Sequence, residues 1–177
     1  MHIAQSKTRE QFPLSYKKIM KKTLASTIVI TFTIIIAWIL AFTLNDSTSS
    51  SQKEIVSLVT YGVFGILFLI IVLNYLYQRW YFAVYYYDLT TDYVQIKKGP
   101  ITPSEITIPY ERIQDVYVDQ DLLDRIFGLY DVHLSSATVS SGIEAHIDGV
   151  EKTAADGLRA VLLDQLKQRI STTPKVQ

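Results

Sequence analysis

Residues 24–44 and 55–77 contain no charged side chain, and a short polar segment separates them. At about 1.5 Å of rise per residue the two runs reach roughly 31 and 34 Å as helices, against a hydrocarbon core of about 30 Å. A helix satisfies its own backbone hydrogen bonds, so each run is long enough to cross a bilayer. A chain of 177 residues cannot bury two wholly apolar helices of that length in a soluble core. The first run is also longer than the apolar core of a secretory signal, and no small-x-small cleavage pattern precedes the loop. The expectation is a membrane hairpin carrying a soluble domain.

The net charge of zero averages unlike parts. Residues 1–22 carry Lys7, Arg9, Lys17, Lys18, Lys21 and Lys22 against Glu10 alone. The loop at 45–54 is serine-rich and slightly acidic, and residues 78–177 are acidic overall. Basic flanks stay on the cytoplasmic side of a membrane. Lys17, Lys18, Lys21, Lys22 and Arg79 therefore set an orientation with both termini cytoplasmic and the loop outside the plasma membrane. The basic arm is expected near anionic head groups. The absence of cysteine excludes disulfides, thiolate catalysis and cysteine metal sites.

The parts expected are a basic arm (1–23), the hairpin (24–77, with spans 24–44 and 55–77 and the external loop 45–54), a domain (78–170) and a flexible tail (171–177). Residues 14–22 suit a short interfacial helix. Gly62 and Gly65 would let the two spans approach closely, and Thr27, Thr31, Thr33, Ser57 and Thr60 can hydrogen-bond within or between them. No ionisable residue lies in either span, which argues against a transport path. Trp38 at one end, and Tyr75, Tyr77, Trp80 and Tyr81 at the other, suit interfacial belts.

Beyond Arg79 the apolar pattern shortens to strands and turns. Strands are expected at 80–88, 93–98, 105–109, 113–119, 130–135 and 142–147. Val94, Ile96, Ile106 and Ile108 face inward, and a bulge falls between Ile113 and Val116. Asp121 can cap a short helix ending at Phe127, with Gly128 left-handed behind it. A final amphipathic helix at 151–170 is marked by Ala154, Leu158, Val161, Leu162, Leu166 and Arg169.

The stretch IPYERIQDVYVDQDLLDRIFGLYDVHLSSA at 108–137 resembles the second type of bacterial pleckstrin-homology-like domain, also called the membrane-flanked domain. Ile108-Pro109, the run Arg112-Ile113-Gln114-Asp115-Val116, the short helix motif at 122–129 and the strand at 132–137 match its pattern in order. Tyr87-Asp88-Leu89-Thr90-Thr91-Asp92, Lys98-Gly99, Ile147-Asp148-Gly149-Val150 and the last helix extend the likeness over about 80–170. The resemblance implies a mainly-β barrel closed by a C-terminal α-helix, here behind two transmembrane helices. Its motifs specify a fold rather than a catalytic site.

Candidate chemistry is sparse. Phosphoinositide recognition needs focused positive charge, whereas Lys97 and Lys98 stand apart in an acidic domain. His133 and His146 lie on outward strand positions. Pairing about the 136–141 loop would set His133 opposite Glu144 and Asp131 opposite His146; a register shifted by two would bring the histidines together. A metal site wants three or four convergent ligands, which the first register lacks and the shifted one would come nearer to. Asp119, Asp121 and Asp124 lack the glycine and terminal glutamate of a calcium loop and suit helix capping. Ser135, Ser136, Ser140 and Ser141 lack a nucleophile elbow. No glycine-rich phosphate cradle is present, and an acidic domain disfavours nucleic acid.

These readings point to a non-enzymatic, membrane-anchored interaction module without a cofactor, binding a protein partner or a second copy of itself. The alternative is a lipid-sensing or envelope-maintenance protein that reads anionic head groups directly. Trp80, Tyr81, Lys97 and Lys98 are the candidate lipid or partner contacts, and the bilayer is itself a partner.

Overall fold

The computed structural model describes residues 6–43, 50–136 and 145–172. Residues 44–49 of the loop between the apolar runs, Ser140, Ser141, Glu144 and the tail from 173 lie outside the described residues. The helices are α1 (Lys7–Gln11), α2 (Lys17–Thr43), α3 (Ser50–Val84), α4 (Leu122–Phe127) and α5 (Lys152–Thr172). The strands are β1 (Tyr86–Leu89), β2 (Tyr93–Lys98), β3 (Ser104–Pro109), β4 (Ile113–Asp119), β5 (Leu129–Ser136) and β6 (Ala145–Glu151). Two compact units result, one of Met1–Lys21 with Trp80–Gln177, the other of Lys22–Arg79.

In the second unit, α2 and α3 are long and apolar enough to cross a membrane. Their large side chains stay outward, as at Val29, Phe32, Leu58, Ile66 and Phe68. Thr27, Thr33, Ser57 and Thr60 each donate a hydroxyl to a carbonyl one turn back, at 2.7–2.8 Å. Polar contacts link the helices: Trp38 Nε1 donates to Thr60 Oγ1 at 3.1 Å, and Asn74 Nδ2 to Ser26 Oγ at 2.7 Å. The expected close approach at Gly62 and Gly65 is not found, since a Cβ at either would meet nothing within 4 Å. Side-chain hydrogen bonds and the edge-on Trp38–Phe64 ring contact at 6.2 Å, rather than glycine contacts, join this pair.

In the first unit, β1–β2–β3 and β4–β5–β6 form two antiparallel three-stranded sheets. A 3-10 turn at Tyr110–Arg112 joins β3 to β4. The alternation in β2 is as expected, with Val94 and Ile96 fully buried. The expected bulge in β4 falls between Ile113 and Asp115. Asp121 and Asp124 form a reciprocal capping box on α4, and Gly128 ends the helix at φ 68°. Ala154, Ala155, Leu158 and Leu162 of α5 cover the core made by Tyr87, Val116, Val132, Ile147 and Val150.

Three expectations change. Residues 80–84 continue α3 instead of opening a strand, because the helix seats Phe82 in the core and packs Tyr81 against its margin while Trp80 turns outward. The barrel is not closed, since no strand pairing joins β1 to β6 among the described residues. The arm lies across that side instead. Ser6 caps α1 and its hydroxyl reaches the Tyr87 carbonyl of β1 at 2.6 Å. The Leu89 N–H donates to Thr8 Oγ1 at 3.1 Å, Leu14 bridges to Val150, and the Ser15 N–H donates to the Gly149 carbonyl of β6 at 2.9 Å. Finally, α2 starts at Lys17 and is continuous, so no separate helix spans 14–22.

Candidate functional site: a buried ionic joint

The arm lysines expected to face head groups divide sharply. Lys17 is half exposed and pairs with Glu151 at 3.3 Å. Lys18 and Lys21, three residues apart on one face of α2, are buried in the folded unit. Lys22 and Arg79 end the second unit, on α2 and α3.

Lys18 Nζ donates to the Asp148 carboxylate at 2.6 Å and to the Asp148 carbonyl at 3.0 Å. It also lies 3.8 Å from the centre of the Tyr85 ring, a cation–π contact between two buried side chains. The Tyr85 hydroxyl donates to the His146 carbonyl at 3.0 Å. Burial, and then the Asp148 carboxylate, push the Tyr85 phenol well up, so it stays a neutral donor. Gly149 makes room for this arrangement. Its φ is +79°, and a Cβ there would stand 2.6–2.8 Å from the stem of Lys18.

Lys21 Nζ meets Asp124 at 2.5 Å and Asp121 at 2.9 Å, the two carboxylates of the α4 capping box. These aspartates therefore cap α4, as their spacing predicts, and also hold the base of α2. Asp131 lies close to this group and accepts from the Gly149 N–H at 2.8 Å. Burial, then the Asp148 carboxylate, raise its carboxyl above the ordinary value, against that hydrogen bond. Asp88 anchors the other end of the arm. Burial would raise its carboxyl, but the hydroxyls of Thr8 and Ser6, both at 2.8 Å, outweigh burial and hold it low.

Such a network is more a locator than a source of stability. Two paired charges in a protein interior gain little over apolar groups of the same shape, whereas removing one partner strands the other.

The remaining candidates are spread out. Trp80 is exposed on α3, and Tyr81 is half-buried 6.3 Å from Tyr85. Lys97 pairs with Glu105 at 3.2 Å and lies 5.9 Å from the Tyr86 ring, while Lys98 lies 5.9 Å from the Tyr85 ring. Tyr81 and Lys98 thus converge on Tyr85, whereas Lys97 stands on the outward face of β2, the central strand of its sheet. The expected pairing of the histidines is corrected. A register shift between Tyr130 and Val132 sets His133 directly opposite His146. The His133 ring stacks between Tyr117 at 4.8 Å and His146 at 5.3 Å, with Nε2 3.1 Å from Asp119. Among the described residues no group of three or more side chains has metal-binding placement. Arg169, read as a helix-face marker, pairs with Asp92 and donates to the Thr91 carbonyl at 2.7 Å, tying α5 to the β1–β2 turn.

A cleft of about 580 Å³ lies between arm residues 11–17 and Glu151, Thr153 and Ala154 at the start of α5.

The joint was not expected from sequence. Its available signals were the Lys18/Lys21 spacing before an apolar run and the Asp148-Gly149 pair, which read as a turn. No curated protein and no solved structure matches the chain. The bacterial PH domain matches residues 19–166, a stretch that takes in both apolar helices, both sheets and most of α5. The chain therefore belongs to the bacterial PH domain family.

Proposed function

We propose that this protein is a non-enzymatic interaction module anchored by a two-helix hairpin to the cytoplasmic face of the plasma membrane. One observation carries the reading: the flanks of both apolar helices, Met1–Lys21 and Trp80–Gln177, belong to one folded unit. A single folded unit lies on one side of a membrane, so a chain that leaves it through α2 and returns through α3 crosses twice. The basic arm assigns that side to the cytoplasm. Tethering raises the effective concentration of the domain toward other membrane proteins.

The partner is an extended protein segment that adds to the outer edge of β3. The arm occupies the β1 and β6 edges through Ser6, Thr8, Leu14 and Ser15. Among the described residues, β3 pairs only with β2, and Thr107 on it is exposed. An open edge of this kind recognises a peptide through main-chain hydrogen bonds.

The test is photo-cross-linking of the full chain in native membranes, with probes at Thr107, Lys97 and His133. A discrete protein adduct at Thr107, absent at His133, supports the reading. Lipid adducts alone would replace it with direct head-group sensing, and adducts equal at all three positions would remove the β3 edge as the docking site.

A further inference from the structure

We propose that the seam between β1, β6 and α5 is a peptide-binding site whose ligand, in this structure, is the chain's own arm. A partner segment with an aromatic residue, a proline and an aliphatic residue in succession, like Phe12-Pro13-Leu14, displaces residues 6–15 from it. Every contact involved lies within the folded unit of Met1–Lys21 and Trp80–Gln177. The site is separate from the β3 edge and does not rest on the proposed function. The arm precedes the stretch 19–166 that matches the family, so it is an addition to the family pattern.

The arm meets the seam as a bound peptide does, with main-chain hydrogen bonds on a strand edge and a pocket for a side chain. Leu14 forms an antiparallel bridge with Val150, and the Ser15 N–H donates to the Gly149 carbonyl at 2.9 Å. The Tyr87 hydroxyl donates to the Phe12 carbonyl. The pocket is a notch in α5: a Cβ at Gly157 would overlap the Phe12 ring. Glycine is a poor residue for a helix interior, and here it admits that ring. Pro13 keeps the chain from continuing α1 as a helix, which leaves Leu14 and Ser15 free to pair with β6. The arm can also leave. Lys18 and Lys21 fix the chain at the start of α2 through Asp148, Asp121 and Asp124, so residues 6–15 can detach while the joint holds. The cleft of about 580 Å³ between residues 11–17 and the start of α5 shows that the arm does not fill the seam, and it gives an incoming segment a place to enter.

Amide hydrogen exchange on the full chain in detergent micelles tests release. The Ser15 and Leu89 amides, which donate across the contact between arm and seam, are expected to be many-fold less protected than those of Val132 and Ile147 in the core. Equal protection at all four would make the arm part of the core and overturn the proposal. A fluorescent peptide of residues 6–16 then tests the site. It is expected to bind a full-length Phe12→Ala/Leu14→Ala variant roughly tenfold or more tightly than the parent, whose own arm competes in cis. Adding Gly157→Leu to that variant, or placing alanine at the Phe12 position of the peptide, should abolish binding. A folded variant that does not take the peptide, or binding indifferent to Gly157→Leu, would overturn the proposal. So would a variant that fails to fold, since a site does not need its ligand in order to form.

Discussion

Lys18 and Lys97 are the same residue type, and each pairs with one carboxylate, yet they belong to different physical regimes. The Lys18 side chain is 3% exposed and sits 2.6 Å from an Asp148 side chain that is 6% exposed. The Lys97 side chain is 46% exposed and its pair with Glu105 spans 3.2 Å between half-solvated groups. Water and salt screen the second pair, and the first has only its protein partners. Basic residues beside an apolar run are thus not one population: in this chain two of them are wedged into the domain, and position on the helix decides which.

Substitutions at the two lysines test that contrast most directly. Lys18→Met strands Asp148 in the interior and is expected to destabilise the full chain by about 3–5 kcal/mol. Unfolding in detergent, followed by the near-ultraviolet signal of the tyrosines, measures it. A Lys18→Met/Asp148→Leu double variant should recover most of that loss, because no charge is left without a partner; a loss as large as in the single variant would mean the pair is not the cause. Gly149→Ala forces a side chain into the left-handed region and against the Lys18 stem, and is expected to lose about 2 kcal/mol in the same assay. Ser6→Ala removes the α1 cap and one hydroxyl from Asp88, for about 1 kcal/mol. Lys97→Ala should cost less than about 1 kcal/mol, and a larger loss would erase the distinction between the regions.

A pH series sharpens the same point without a change of partner. Burial, then the Asp148 carboxylate, raise the Asp131 carboxyl in the folded chain. Between its ordinary value and the raised one, the folded state keeps a proton that the unfolded chain releases. That contribution to stability is full below the ordinary carboxyl range and is lost as pH rises through the raised value. Asp131→Asn retains an acceptor for the Gly149 N–H and removes the loss. Variant and parent should therefore match in acid, with the variant becoming the more stable as pH rises; parallel curves would show that Asp131 does not titrate in this window.

Local signals carried far in some elements and not in others. The capping box at Asp121 and Asp124, Gly128 behind α4, the β4 bulge and the inward alternation of Val94 and Ile96 are local rules, and each was legible from a few neighbouring residues. The α3 overrun through Val84 and the pairing of His133 with His146 were not. Tyr81 and Phe82 suit a strand as well as a helix until their packing partners are known. The β5–β6 register depends on one residue of slack between Tyr130 and Val132, which no local preference sets.

The sequence by itself determined two uncharged runs of membrane-spanning length, a strand-rich acidic domain with family motifs, and a basic segment before the first run. These follow from composition and short-range periodicity. Tertiary structure alone decided that the basic segment belongs to the domain. Ser6 meets Asp88 across 82 positions, and Lys18 meets Asp148 across 130. A charge read along the chain has a sign but no environment; only the fold brings a carboxylate to it and takes the water away.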